Sequence, residues 1–119
     1  MIEVVPDMPD NVAALNVKGK VTGEDYKSVL IPAVEAQVEK HGKIRLLCNF
    51  DDEFSFGGSA MWYDATFGLK NLTKWEKLAI VSDVAWLRHS TNFFSFMIPG
   101  EVKVFTSDQL AEAREWVSS

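Results

Sequence analysis

The spacing of apolar residues changes period several times along the chain. Ile2 to Val5 and Val12 to Lys18 read as two short strands, the second alternating Ala13, Leu15 and Val17 inward against Ala14, Asn16 and Lys18. Pro6, Asp7, Pro9, Asp10 and Asn11 lie between them and predict the turn of an antiparallel hairpin. Thr22 with Asp25 three residues later has the form of a capping box. Tyr26, Val29, Leu30, Ala33 and Val34 then share one helical face, and Gly42 ends the helix. Pro32 lies inside it and removes a backbone donor, so a kink or an irregular first half is expected.

Ile44 to Phe50 and Leu78 to Val81 are apolar runs without clean alternation, as expected of interior parallel strands buried on both faces. Between them, Ser59 opens a helix running to about Asn71, with Met61, Trp62, Ala65 and Leu69 on its apolar side and Phe67 close by. Val84 to Ile98 forms the next helix, stopped by Pro99 and Gly100. Val102 to Phe105 is a short last strand. Ser107 or Asp108 then caps an amphipathic helix carrying Leu110, Ala113, Trp116 and Val117 at helical spacing. The order ββαβαβαβα predicts an α/β fold with a mixed, mostly parallel five-stranded sheet. No linker, repeat or low-complexity stretch interrupts it, so residues 1–119 read as one domain.

The helix from Val84 to Ile98 is the element that structural need explains least. Trp86, Phe93 and Met97 fall on one face and Leu87, Phe94 and Ile98 on another, with Arg88 its one formal charge. A surface helix of a small two-layer domain has a single face to bury, and Phe93 to Ile98 exceed it. Most of the chain's aromatic side chains lie between Phe54 and Phe96. Core packing accounts for much of Trp62, Trp75 and Trp86. The surplus points to an apolar cleft between the two middle helices, or to a patch that meets a membrane, a protein partner or a second copy of the chain.

Charge and composition remove several function classes. A net charge of −5 opposes general affinity for nucleic acid, which needs a positive field. Residues 60–100 nevertheless hold four basic side chains against three acidic ones, so the aromatic-rich centre is the least acidic part. The single Cys48 sits in an apolar run and reads as a small buried hydrophobe in a reducing compartment. The first residues lack the basic and apolar regions of a signal peptide, and no uncharged tract reaches the length of a membrane span. A cytoplasmic location is expected, with peripheral association at the inner membrane surface.

Catalytic chemistry is thinly supplied. His41 falls at a helix C-terminus, where a cation suits the dipole, and His89 lies on the apolar helix, where it reads as a partly exposed surface residue rather than a base. No Cys and His spacing suggests zinc, and no Gly-rich phosphate loop follows a strand. Gly57-Gly58 before Ser59 reads as a turn. Asp51-Asp52-Glu53 follows the third strand, where Mg²⁺ sites occur, but it reads better as a solvated loop. A receiver domain would require acidic residues after the first strand and a lysine after the last, where Pro6 and Thr106 stand instead.

Ile44-Arg-Leu-Leu before the acidic loop, Phe56-Gly within it, Trp62 to Leu69, Leu78-Ala-Ile-Val-Ser-Asp, Trp86, and Val102-Lys-Val-Phe followed by Ala113 to Trp116 occur in an order that resembles the SpoIIAA-like family. That family is related in fold to STAS domains and to CRAL-TRIO lipid carriers. The resemblance implies a mixed sheet with β-α crossovers, no catalytic activity and no cofactor or metal. A carrier-like role implies an apolar or amphiphilic small molecule or lipid walled by Trp62, Phe67, Trp86, Phe93, Phe94 and Met97, with hinges at Gly57-Gly58 and Pro99-Gly100. Lys70, Lys74, Lys77 and Arg88 would then face anionic headgroups. A STAS-like role implies a protein-interaction module switched by phosphorylation at Ser59 or Ser55, although Ser59 lacks the aspartate that precedes the modified serine in STAS antagonists.

Overall fold

Strand β4, Ile44–Phe50, forms the centre of the molecule. It pairs in parallel with β2, Ala13–Val17, on one side and with β6, Trp75–Val81, on the other. The edges are β1, Ile2–Val4, antiparallel to β2, and β7, Glu101–Phe105, parallel to β6. The five-stranded sheet therefore has the order β1-β2-β4-β6-β7. A separate parallel pair joins β3, Lys20–Val21, to β5, Ser55–Phe56. The computed structural model describes residues 1–51, 53, 55–56, 74–85, 89 and 100–119, with the backbone alone for Tyr26, Ser55 and Phe56. The expected helix over residues 59–71 lies outside the described residues. Of the stretch 84–98, Val84, Ala85 and His89 are described, and the last two are helical.

The sheet carries a core on each face. On one side Leu15, Val17, Ile44, Leu46, Cys48 and Ile80 pack against Val34 of helix α2, Ile31–His41, with Val29 and Leu30 from the turn before it. On the other side Val12, Ala14, Leu47, Ala79, Val81 and Phe105 pack against Ala113 and Val117 of the last helix, α3, Leu110–Ser118. This corrects the two-layer expectation and the outward placement of Ala14. Ala14 is 2% exposed because α3 covers the face that β2 alternation alone would give to solvent. Cys48 is buried in the α2-side core as a small apolar side chain.

Helix entry follows the expected chemistry at Thr22. Its N–H and hydroxyl donate to Asp25 Oδ2 at 2.9 and 3.1 Å, and the Asp25 N–H donates back to Thr22 Oγ1 at 3.3 Å. A short first helix, α1, Gly23–Asp25, leads into a π-helical turn, Tyr26–Leu30, before α2 begins. Pro32 thus falls in the first turn of α2, where a missing N–H is not needed, and the π-turn absorbs the misfit. Gly42 closes α2 in the left-handed region at φ 73°, with its N–H on Val38 O at 2.8 Å.

At the C-terminal end of the chain, the cap is Thr106 rather than Ser107 or Asp108. Thr106 shares a capping box with Gln109 ahead of a 3₁₀ turn, Ser107–Gln109, that runs into α3. The C-terminal turn of α3 meets the amino end of the sheet. Arg45 Nη1 donates to Val117 O and Ser119 O, at 3.2 and 2.6 Å, and pairs through Nε with Glu76. Cations at these orphan carbonyls suit the helix dipole.

The loop between β1 and β2 ties both helical layers down. Asp7 pairs with Arg114 of α3 at 3.1 Å, while Asp10 lies 3.7 Å from Lys40 and 3.4 Å from His41 of α2. The Asp10 carbonyl also accepts from Gln37 Nε2 at 3.2 Å, and Gln37 Oε1 is buried without a hydrogen-bond partner among the described residues. Strand β6 begins three residues earlier than its apolar run suggests, because Glu76 enters as a bulge between the Ile44–Trp75 and Arg45–Lys77 pairs. Gly100 lies against this bulge. A Cβ there would collide with Trp75 O and fall 2.7 Å from Glu76 O, so Gly100 serves a close backbone approach.

Two predictions follow from these local contacts. Gly100→Ala should destabilise the protein by about 1–3 kcal/mol in urea unfolding, the cost of overpacking against backbone that has nowhere to shift. Burial would raise the Asp25 carboxyl, but the Thr22 N–H and hydroxyl and the amino group of Met1 together lower it below its ordinary 3.8. Its contribution is therefore present above pH 3.8 and is lost as pH falls through the lower folded value. Asp25→Ala should cost about 1 kcal/mol at neutral pH, and a comparison of the two proteins from pH 5 downward should show the gap closing.

Candidate functional site

The parallel strands β2, β4 and β6 end at the same edge of the sheet, the edge at which open α/β folds place their ligands. On the α3 side, Val12 just before β2 is followed by Ala14 and then Asn16 of β2, and β4 presents Leu47 and then Asn49. The apolar core thus gives way to amides at matching positions. Asn16 and Asn49 are register partners, and Asn49 Nδ2 donates to Asn16 Oδ1 at 3.3 Å.

These amides border an open hollow of about 340 Å³, lined by Asn16, Val17, Lys18, Asn49, Phe50, Asp51, Asp83 and Ser107. Its rim is built by backbone and carboxylate contacts. The Asp51 N–H continues the ladder to Val17 O at 3.1 Å, and the Gly19 N–H donates to Asp51 Oδ1 at 3.3 Å. Gly19 reaches that oxygen with φ +56°, a conformation that side-chain-bearing residues rarely adopt. Across the hollow, the Ser107 N–H donates to Asp83 Oδ1 at 3.0 Å and its hydroxyl to Asp83 Oδ2 at 2.5 Å. Asp83 itself is placed by Ser82, which is wholly buried, donates its N–H to Phe105 O at 2.9 Å and accepts the Val84 N–H on Oγ at 3.0 Å. The ammonium of Lys18 lies 3.3 Å from Glu3 Oε2.

Among the described residues neither His41 nor His89 lines the hollow, and the group beside the Ser107 hydroxyl is the Asp83 carboxylate. Among the described residues no group of three His, Cys, Asp or Glu side chains is placed to hold a metal ion. Of the acidic loop, Asp51 joins the rim and Asp52 lies outside the described residues. The arrangement suits binding of a polar group.

The residues expected from sequence to form a site distribute unevenly. Trp62, Phe67, Trp86, Phe93, Phe94, Met97, Ser59, Lys70 and Arg88 lie outside the described residues. Ser55 belongs to β5, its backbone paired with Lys20 of β3. Lys74 is exposed in the turn before β6, at the amino end of the sheet and away from the hollow. Lys77 also lies near that end, where its ammonium donates to Trp116 O at 3.0 Å and Ser119 O at 3.1 Å and sits 5.1 Å from the Trp116 ring centre. Asn16, Lys18, Asn49, Asp83 and Ser107 are not among the site residues that the sequence predicts. The available signal is a polar amide near the end of each of two largely apolar strands.

A family model described as SpoIIAA-like matches residues 12–118. The chain belongs to the SpoIIAA-like family. Among solved structures, an uncharacterized protein from the DUF3478 family with a SpoIIAA-like fold, from Shewanella loihica PV-4, is similar at a TM-score of 0.75. It is 23% identical over 98% of this chain and 93% of its own, a likeness that carries the fold. No curated protein matches. No described helix of this SpoIIAA-like domain is long and apolar enough to cross a membrane.

The Asp83–Ser107 contact joins the end of β6 to the start of the last helical segment. Asp83→Ala removes both acceptors and should lower stability by about 1–2 kcal/mol in chemical denaturation, as loss of a helix-start acceptor does.

Proposed function

We propose that this SpoIIAA-like domain is a non-enzymatic, cytoplasmic binding protein that holds an amphiphilic small molecule or lipid at the carboxyl edge of its sheet. One observation carries the reading. Asp51 and Asp83 both line the hollow, and from them the chain passes into the two stretches, 57–73 and 86–99, that hold half of its aromatic residues. A ligand with its polar head in the hollow thus has the apolar side chains of both stretches within reach along the chain. Trp62 and Phe67 from the first stretch, and Trp86, Phe93, Phe94 and Met97 from the second, are the proposed apolar walls. Lys70 and Arg88 belong to the same stretches and are the proposed contacts for anionic headgroups during peripheral membrane association. Lys74, exposed at the other end of the sheet, would require a second contact face, and Lys77 is held by the C-terminal turn of α3.

Intrinsic tryptophan fluorescence provides the test, because Trp62 and Trp86 are both proposed wall residues. Titration with phospholipid vesicles and with lipids extracted from the native host should shift the emission. Phe93→Ala and Phe94→Ala should each weaken binding about tenfold, as expected for the loss of one large apolar contact. Emission that stays unchanged with both lipid sources would remove the reading.

A further inference from the structure

We propose that a recess under the β1–β2 loop binds a small aromatic molecule carrying one N–H or O–H donor, of the indole or phenol type. The proposal is independent of the amphiphile reading and concerns the opposite end of the sheet. The recess has a volume of about 230 Å³ and lies between the loop and the second half of α2. Val4, Val5, Pro6, Met8 and Ala36 supply apolar lining, and Val4 stays 59% exposed. Gln37 also lines the recess and is only 7% exposed, yet its Oε1 has no hydrogen-bond partner among the described residues. The amide gains nothing by turning over. Its Nε2 donates to Asp10 O at 3.2 Å, and a flip would set oxygen against oxygen.

A buried carbonyl oxygen without a donor is costly, so an occupant that brings one is favoured there. The surroundings decide what kind of occupant that is. A held water needs about two to four polar partners. The other polar lining side chains are Asp10 and Lys40, both exposed and 3.7 Å from each other. The Asp10 carbonyl is already taken by Gln37 and lies 3.2 Å from His41 Nε2. A molecule with a single donor and an apolar body fits this lining better than water does. Its donor meets Oε1 while its ring lies among Val5, Pro6 and Met8, whose thioether favours contact with an aromatic edge. The volume falls below the roughly 300–1,000 Å³ of sites for drug-sized ligands, which limits the occupant to one or two rings.

Indole and benzofuran have the same shape, and benzofuran lacks the N–H. Each is titrated into the full ¹⁵N-labelled chain and followed by amide chemical shifts. Indole should move the Gln37 side-chain amide and the backbone signals of Ala13 and Ala36, and benzofuran should bind about tenfold more weakly, the worth of one hydrogen bond. Gln37→Met keeps the length of the side chain and removes the oxygen, so indole should fall to the level of benzofuran. Ala36→Leu, at an exposed position of α2, fills the recess without altering the amide and should abolish binding of both rings. Equal affinity of the two rings for the unaltered chain would overturn the proposal, since Oε1 would then take no donor from them. It is also overturned if neither ring moves these signals, or if Ala36→Leu binds indole as the unaltered chain does.

Discussion

Burial of the central strands on both faces is the constraint to which the rest of the molecule answers. Leu15, Ile44 and Leu46 need α2, and Ala14, Leu47 and Ala79 need α3, so neither helical layer is optional. A strand enclosed in this way has no solvent side, and its residues are apolar without alternation. Its parallel neighbours require crossovers, which fix the order in which the chain must build the sheet. The departures from regular geometry, the π-turn before Pro32 and the bulge at Glu76, lie at the ends of elements and leave the enclosed middle undisturbed.

The same enclosure explains why the polar hollow sits where it does. Apolar packing on the α3 side stops at Ala14 and Leu47, and the next residues on that face are the amides of Asn16 and Asn49. Past them the strands end, and the loops supply carboxylates whose positions are set by backbone donors from Gly19 and Ser107. Site and core are therefore successive layers of one face, separated by a single pair of residues. Polarity at that boundary orders the loops without breaking the sheet beneath them.

Much of the fold was legible because its signals are local. The hairpin, the Thr22–Asp25 box, the stop at Gly42 and the limits of β4 follow from turn chemistry, capping and apolar runs read over a few residues. What sequence concealed depends on contacts between distant segments. The burial of Ala14 requires α3, the extension of β6 to Trp75 requires its pairing with Ile44, and the β3–β5 pair joins dipeptides with no strand pattern of their own. The site was harder for the same reason. Asn16 and Asn49 become neighbours only through strand register, and Asp83 meets Ser107 only after β7 is in place. Acidic and aromatic residues stood out in the sequence because they cluster there, whereas the hollow is assembled from residues scattered along the chain.

The hairpin loop from Pro6 to Asn11 has a mechanical consequence. Through Asp7 it grips α3, and through Asp10 it grips α2, so one short loop clasps the two outer layers at the amino end of the sheet. Arg45 and Lys77 fasten the end of α3 on that same side. The layers are thus anchored at one margin, as the leaves of a book are held at its spine. At the opposite margin, where the hollow opens, the Asp83–Ser107 contact ties the end of β6 to the 3₁₀ turn ahead of α3.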